Sequence, residues 1–376
     1  MRVVFVDNVC DPLKPRKSGH SDIVWAMAEH VAELGVESLI VAPYDRVQAE
    51  ASTSRVEVLP FSSIRNPNKN PITRILQVIQ AVKVIKQNAR ADIVHVTDAF
   101  SAGIASVLVR NIPVVFTTSG SIYQRQRSSY RLDAISAMFY YAVSILAAHF
   151  VALVVATSNE MAHWWNLTGV PTEKIRTIPL GVTWLADSCS PRDRLNRTPI
   201  RVLFVGRMHG ENNPEHLRDL ASMLSSEISY RLGIVGDGPL LPMVESMLAD
   251  FSEVRFYGAL EPEQLWRLYR EFDVLVVTRE AGATPRVALE AMANGLAVIG
   301  FRGAGLEEYV GNGQGGFLVP KGSISEIAKL IVTLAEDPDM RFSQGRKAWQ
   351  LMHTNYGWAQ IADRLVSEVY GDLNGR

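Results

Sequence analysis

The sequence has almost no cysteine. Two occur in 376 residues, Cys10 and Cys189, far apart in the chain. That excludes a disulfide framework and a paired-cysteine metal site. Net charge is nearly absent too, −1 from 38 basic and 39 acidic residues, so no global basic surplus argues for nucleic acid as a partner. The GxGxxG fingerprint is missing, which argues against a nicotinamide dehydrogenase. No DxD pair stands at a strand end and no His/Asp cluster has ligand spacing, so no metal site is expected. The opening MRVVFVDNVCDP lacks the apolar core of a secretory leader and reads as a strand. A cytoplasmic location is the expectation.

Long apolar runs are scarce. One, FYYAVSILAAHFVALVVAT from Phe139 to Thr157, is long enough to span a bilayer. It reads better as a buried helix, Leu132 to Ala148, followed by a buried strand, Leu153 to Thr157. Parallel strands covered on both faces are continuous apolar runs of this kind.

What is present is ordinary globular composition, 47% apolar and 20% charged, and a regular alternation. Strand-like runs such as VVFVDN (Val3 to Asn8), DIVHVTD (Asp92 to Asp98), RVLFVGR (Arg201 to Arg207) and DVLVVT (Asp273 to Thr278) alternate with helical patterns. The pattern predicts α/β architecture with parallel sheets and helices on both faces. The polar, proline-containing stretch WLADSCSPRDRLNRTPI, Trp184 to Ile200, interrupts it and the alternation then restarts. Two doubly wound Rossmann-like domains facing across a cleft are expected: residues 1–183, residues 184–355, and a tail, 356–376, returning toward the first. Tyr356 to Tyr370 reads as one amphipathic helix.

Ligands of open α/β sheets bind beyond the carboxyl ends of strands, so chemistry belongs in the loops there. Four stand out: KSGHSD (Lys17 to Asp22), GRMHGENNPE (Gly206 to Glu215), VGDGP (Val235 to Pro239) and REAGATPRVALEAMANG (Arg279 to Gly295). The last is a strand-to-helix turn of small residues, which presents free backbone N–H groups and a positive dipole end to an anion. Glu290 lies a turn or so into that helix.

Taken in order, VLFVGR…NNPE, LGIVGDGPL, VRFYGAL and DVLVVTREAGATPRVALEAMANGLAVIGFRGAGLEEYV resemble the retaining glycosyltransferases of family 4, which have the GT-B fold. IRTIPLGV (Ile175 to Val182) resembles that family's entry into its second domain. The resemblance covers essentially the whole chain and is strongest from Arg201 to Pro320. It implies a nucleoside-diphosphate sugar as donor, UDP- or GDP-linked, with no further cofactor and no metal. Glu290 matches the glutamate that binds ribose hydroxyls. The backbone of Thr284, Pro285, Arg286 and Val287 matches the helix entrance that holds the diphosphate, and Arg207 an arginine that also contacts it. Tyr257 to Leu260 lie where the base is held, Gly236 and Gly238 shape the adjoining turn, and Gly19 lets the first-domain backbone approach the donor.

The pattern is broken at four places, one of them Thr118 and Ser119, which stand where the family often has a histidine. Gly282 stands eight residues before Glu290, where the family has its first glutamate. Asn212 stands where the family has a phosphate-binding lysine, and His20 where it has a second glycine. Glu280 and His20 are the candidates to make up the lost contacts, together with His209, Lys14, Arg16 and Lys17. His95 fits the family pattern and reads equally as a structural histidine ending a strand.

Two readings follow. One is an active transferase with an altered donor pocket; the other is a non-catalytic GT-B protein binding nucleotide or glycan, or the partner subunit of an active transferase. The acceptor is not legible. The basic, partly amphipathic stretch Ile64 to Arg90 reads as an ordinary helix with a solvated face, with a peripheral contact at the inner face of a membrane as the alternative.

Overall fold

The computed structural model describes residues 1–6, 19–43, 55–61, 71–88, 90–109, 111–118, 142–184, 198–280, 284–303 and 305–374. Cys10, Cys189, Lys14, Arg16, Lys17, Gly282 and most of the stretch between the two halves lie outside them, as does the side chain of His20. The chain forms two compact units, Met1–Gly181 with Trp358–Arg376, and Val182–Gly357.

The first unit holds β1 (Arg2–Val6), β2 (Glu37–Pro43), β3 (Val56–Phe61), β4 (Ile93–Val96), β5 (Val114–Thr118), β6 (Leu153–Ala156) and β7 (Ile175–Thr177). They make one parallel sheet in the order β3-β2-β1-β4-β5-β6-β7. The second unit holds β8 (Ile200–Val205), β9 (Tyr230–Val235), β10 (Val254–Gly258), β11 (Val274–Val277), β12 (Ala297–Phe301) and β13 (Gly316–Val319), parallel in the order β10-β9-β8-β11-β12-β13. In each sheet the order reverses beside its first strand, between β1 and β4 and between β8 and β11. That reversal opens a crevice at the strands' carboxyl ends.

Burial explains why these runs are strands. β4, β6, β11 and β12 are buried at every residue, because helices cover both faces and no polar alternation is needed. The helices instead carry one apolar stripe. In Ile324–Glu336 the buried residues are Ile324, Ile327, Ala328, Ile331 and Leu334, the spacing of a single face. Each fully buried Ile or Leu contributes about 1.5–3 kcal/mol.

Two expectations are corrected. The tail is not one helix beginning at Tyr356. Tyr356 caps the preceding helix, Pro338–Asn355, its carbonyl accepts a bond from the Val182 amide, and Gly357 bridges to Val182. Helix starts only at Trp358 and widens into a π-helix over Leu365–Tyr370. The segment before β6 is helical through Phe150 in its described part, residues 142–150, and is buried on one face only. Leu146 and Phe150 are each 60% exposed while Ala147 and Ala148 are buried. Among the described residues no helix is long and apolar enough to cross a membrane.

Candidate functional site

The carboxyl ends of β8, β9 and β11 meet at the reversal point of the second sheet. The turn after β9 lies against the turn after β8. Met208 N–H donates to the Asp237 carbonyl, 2.9 Å, Leu240 N–H donates to the Met208 carbonyl, 3.0 Å, and Gly236 N–H donates to the Gly258 carbonyl, 2.8 Å. This approach is open only to glycine. Gly236 and Gly238 have φ of +134° and +152°. A Cβ built on Gly236 would stand 1.9 Å from the Gly206 carbonyl oxygen, and one on Gly238 2.5 Å from that of Met208.

The turn after β8 is tied to the end of β11. Asn213 takes the left-handed conformation, φ +44°, which asparagine tolerates better than most residues. Its Nδ2 donates to the Thr278 carbonyl at 3.3 Å, and the Thr278 hydroxyl donates to the Asn212 carbonyl. Asn212 Nδ2 donates to the Arg207 carbonyl at 2.8 Å. Arg207 itself is exposed.

A cavity of about 200 Å³ lies between these turns and the helix Arg286–Ala293, lined by Gly206, Asn212, Thr278, Arg279, Pro285 and Arg286 among others. Pro285 caps the helix, and its neighbour Thr284 sits beside the buried phenol of Tyr309. The positive end of the helix dipole lies at this entrance, which makes it an anion-accepting end, while the Ala288 N–H already donates to the Pro285 carbonyl at 2.9 Å.

Glu290 is one turn further on and only 9% exposed. Its Oε2 accepts a hydrogen bond from the Tyr269 hydroxyl at 3.1 Å, and its Oε1 faces Arg286 Nη2 at 3.5 Å. Burial pushes the Tyr269 phenol well above its ordinary pKa, and the Glu290 carboxylate pushes the same way. The phenol therefore stays a proton donor and fixes one carboxylate oxygen. Arg279, the residue that leaves the apolar run of β11, is 8% exposed. Burial pulls its pKa down, opposed by the charge of Glu211.

Of the expected residues, the structure brings Gly236 and Gly238 to the turn, Asn212, Pro285, Arg286 and Val287 to the cavity wall, and Glu290 to the helix behind it. Tyr257 and Leu260 pack against the apolar cluster around Phe272 and Val235, Tyr257 with Arg255 stacked on its ring at 4.8 Å. Glu280 is held elsewhere: its Oε1 lies 3.8 Å from His216 Nε2 and near Gly322. His95 is buried inside the first unit and bonded through both ring nitrogens, so it presents no free edge to a ligand. Gly19 opens the helix Gly19–Glu33.

Sequence reasoning missed Arg279, Thr278 and Tyr269. A charge two residues after a wholly apolar strand was the available signal for Arg279. Tyr269 had none, since it lies 21 residues from Glu290. Among the described residues no group of three or more His, Cys, Asp or Glu is placed to hold a metal ion.

Two family profiles match the chain, "Glycosyltransferase Family 4" over residues 18–183 and "Glycosyl transferases group 1" over residues 190–350. Among similar proteins, the D-inositol 3-phosphate glycosyltransferase of Corynebacterium kroppenstedtii is 29% identical over 46% of this chain, and the match spans 40% of that relative's length. The GDP-mannose-dependent alpha-mannosyltransferase of Corynebacterium glutamicum is 24% identical over 99% of this chain and 90% of its own. Among solved structures, sucrose-phosphate synthase from Thermosynechococcus elongatus superposes with a TM-score of 0.78 at 18% identity, covering 100% of this chain and 99% of that one. Anabaena HepE in complex with UDP-glucose superposes with a TM-score of 0.73 at 18% identity, covering 99% of this chain and 100% of that one.

Proposed function

This chain belongs to the family 4 glycosyltransferases, and we propose that it transfers a sugar from a nucleoside-diphosphate donor to an acceptor hydroxyl with retention of anomeric configuration. The observation that carries this reading is Glu290. Its carboxylate is already oriented by Tyr269 and Arg286, one turn behind a helix entrance that opens on a cavity at the sheet's reversal point. A fixed carboxylate suits a pair of ribose hydroxyls, and the positive end of a helix suits a diphosphate. Anabaena HepE in complexes with UDP and UDP-glucose, and the GDP-mannose dependence of the Corynebacterium glutamicum relative, support a UDP- or GDP-linked donor.

In this reading the bond between the anomeric carbon and the β-phosphate oxygen breaks, and the electron pair leaves with the diphosphate. The acceptor oxygen bonds to the same face of the anomeric carbon, and its proton passes to a diphosphate oxygen. The leaving group carries growing negative charge, which in this reading the helix entrance and Arg207 offset. Fixed dipoles and guanidinium groups supply this without a divalent cation. Transfer is expected to continue at an unchanged rate in excess chelator. A rate that collapses there and returns with Mg²⁺ or Mn²⁺ overturns the metal-independent mechanism.

The primary test is a thermal-shift screen against UDP, GDP and their sugars. A ligand at 100 times its Kd should add about 2.7 kcal/mol of stability. Glu290→Ala should then weaken binding by roughly 1.5–3 kcal/mol, the scale of a hydrogen bond to a charged group. Binding by Glu290→Ala as tight as by the parent sinks the assignment. A second reading, nucleotide binding without transfer, is favoured by the glycine at position 282 in place of a sugar-contacting carboxylate. Sugar nucleotides that stabilise the protein yet are not turned over with any acceptor would select it.

A further inference from the structure

We propose a second anion site in the Val182–Gly357 unit, at the amino ends of β8, β9 and β10, where Arg201, Arg231 and Arg255 receive the phosphate group of a small phosphate-bearing ligand. It lies at the opposite end of these strands from the cavity described above, and it does not depend on the nucleotide-binding reading.

Each of the three strands opens on the same pattern: Ile-Arg-Val in β8, Tyr-Arg-Leu in β9 and Val-Arg-Phe in β10. In β8 and β9 the residues on either side of the arginine are buried. Side chains alternate along a strand, so the three arginines share the other face. Register sets them together. Arg201 is paired with Arg231, and Arg255 with Gly233, two residues further along β9. Neighbouring strands stand about 4.8 Å apart, and like charges placed side by side at that spacing repel. Among the described residues none of the three is in a salt bridge. Arg201 Nη1 donates to the Glu271 carbonyl at 3.3 Å, while its Nε is buried and has no partner. Arg255 lies on the Tyr257 ring, a contact that uses the face of the guanidinium and not its N–H edge.

A cavity of about 540 Å³ opens over this row, lined by Arg201, Arg231, Arg255 and Tyr257 and by two exposed carboxylates, Glu253 and Glu271. A carboxylate in water is a weak counter-charge, so it leaves the arginine row short of compensation. The same two carboxylates repel an extended polyanion. A compact phosphate seated on the row offsets the repulsion between Arg201 and Arg231, and each guanidinium fork can give it two parallel hydrogen bonds.

The test is titration calorimetry of the full chain with inorganic phosphate. A second arm is flotation on phosphatidylcholine vesicles with and without phosphatidylglycerol. Arg231→Gln and Arg255→Gln, both changes at exposed positions, are each expected to lose roughly 10- to 100-fold in phosphate affinity. Arg231→Lys should recover part of the loss, because it keeps the charge without the fork. Arg207→Gln, beyond the other end of β8, should bind phosphate as the parent does. Phosphate binding without vesicle binding assigns a soluble phosphate ester. Vesicle binding that needs phosphatidylglycerol and falls in the same variants assigns a lipid headgroup, and either result supports the site. If one of the two glutamine variants does not fold, the other decides, since they stand on different strands. Equal phosphate affinity in the parent and the folded arginine variants overturns the proposal. So does a loss confined to Arg207→Gln, or a parent that binds neither probe.

Discussion

Gly236→Ala is expected to destabilise the Val182–Gly357 unit by more than about 3 kcal/mol and to abolish ligand binding. Two costs combine. At φ +134° the backbone is in a region essentially reserved for glycine, which costs an L-residue on the order of 1–3 kcal/mol. The new methyl would also stand 1.9 Å from the Gly206 carbonyl oxygen and 2.9 Å from its carbon. Neither atom is at the free end of a flexible side chain. The Gly206 amide donates to the Val235 carbonyl and the Gly236 amide to that of Gly258, so relief of the clash must pull apart the carboxyl ends of β8, β9 and β10. Gly210 provides the control. Nothing lies within 4 Å of its built Cβ and its φ is not in the positive region, so Gly210→Ala should melt close to the parent. Urea denaturation of the three proteins checks this. Coincident midpoints for Gly236→Ala and Gly210→Ala would falsify the argument.

The second large effect is a loss of stability in mild acid, carried by His95. Its ring is 1% exposed and stacked at 5.3 Å on Phe5. Nδ1 pairs with the Tyr370 hydroxyl and Nε2 with the Thr117 hydroxyl, both at 2.6 Å. Burial lowers its pKa from 6.5 to about 3. With the folded value below the unfolded one, the unfolded chain binds more protons between those limits. The stability is present in full above pH 6.5, falls as pH drops through that value, and is spent near pH 3. Each tenfold difference in proton affinity between the folded and unfolded chain is worth about 1.36 kcal/mol, so the whole window amounts to on the order of 5 kcal/mol. Tyr370 does not add to the slope there, because burial pushes its phenol upward. Denaturant midpoints at pH 7.5, 6.0 and 5.0 should fall more steeply for the parent than for His95→Gln, which hydrogen-bonds without titrating in this range. Parallel slopes would show that His95 is not the group responsible.

These two positions also mark how far a reading of the chain alone could go. The glycines of VGDGP were legible as a tight turn, because a glycine between a strand and a helix signals positive φ. What their missing side chains make room for, the carbonyls of Gly206 and Met208, is 30 residues earlier in the chain for both pairs and was not legible. The tail Tyr356 to Tyr370 had the right amphipathic pattern, yet its first two residues are not helical: Tyr356 caps the preceding helix and Gly357 bridges to Val182.

Sequence by itself determined the alternation of strands and helices, the parallel sheets and the helix entrance ahead of Glu290. Those features rest on local physics: apolar runs, the periodicity of a helix face, and glycine and proline at turns. Only the tertiary structure decided the partners. Tyr269 meets Glu290, Glu280 turns to His216, Arg279 is buried in the cavity wall, and His95 meets a tyrosine 275 positions away. Such pairs depend on which strands adjoin and where the order of a sheet reverses. A charged or polar side chain takes its environment from neighbours brought in by the whole chain, and local pattern carries no record of them.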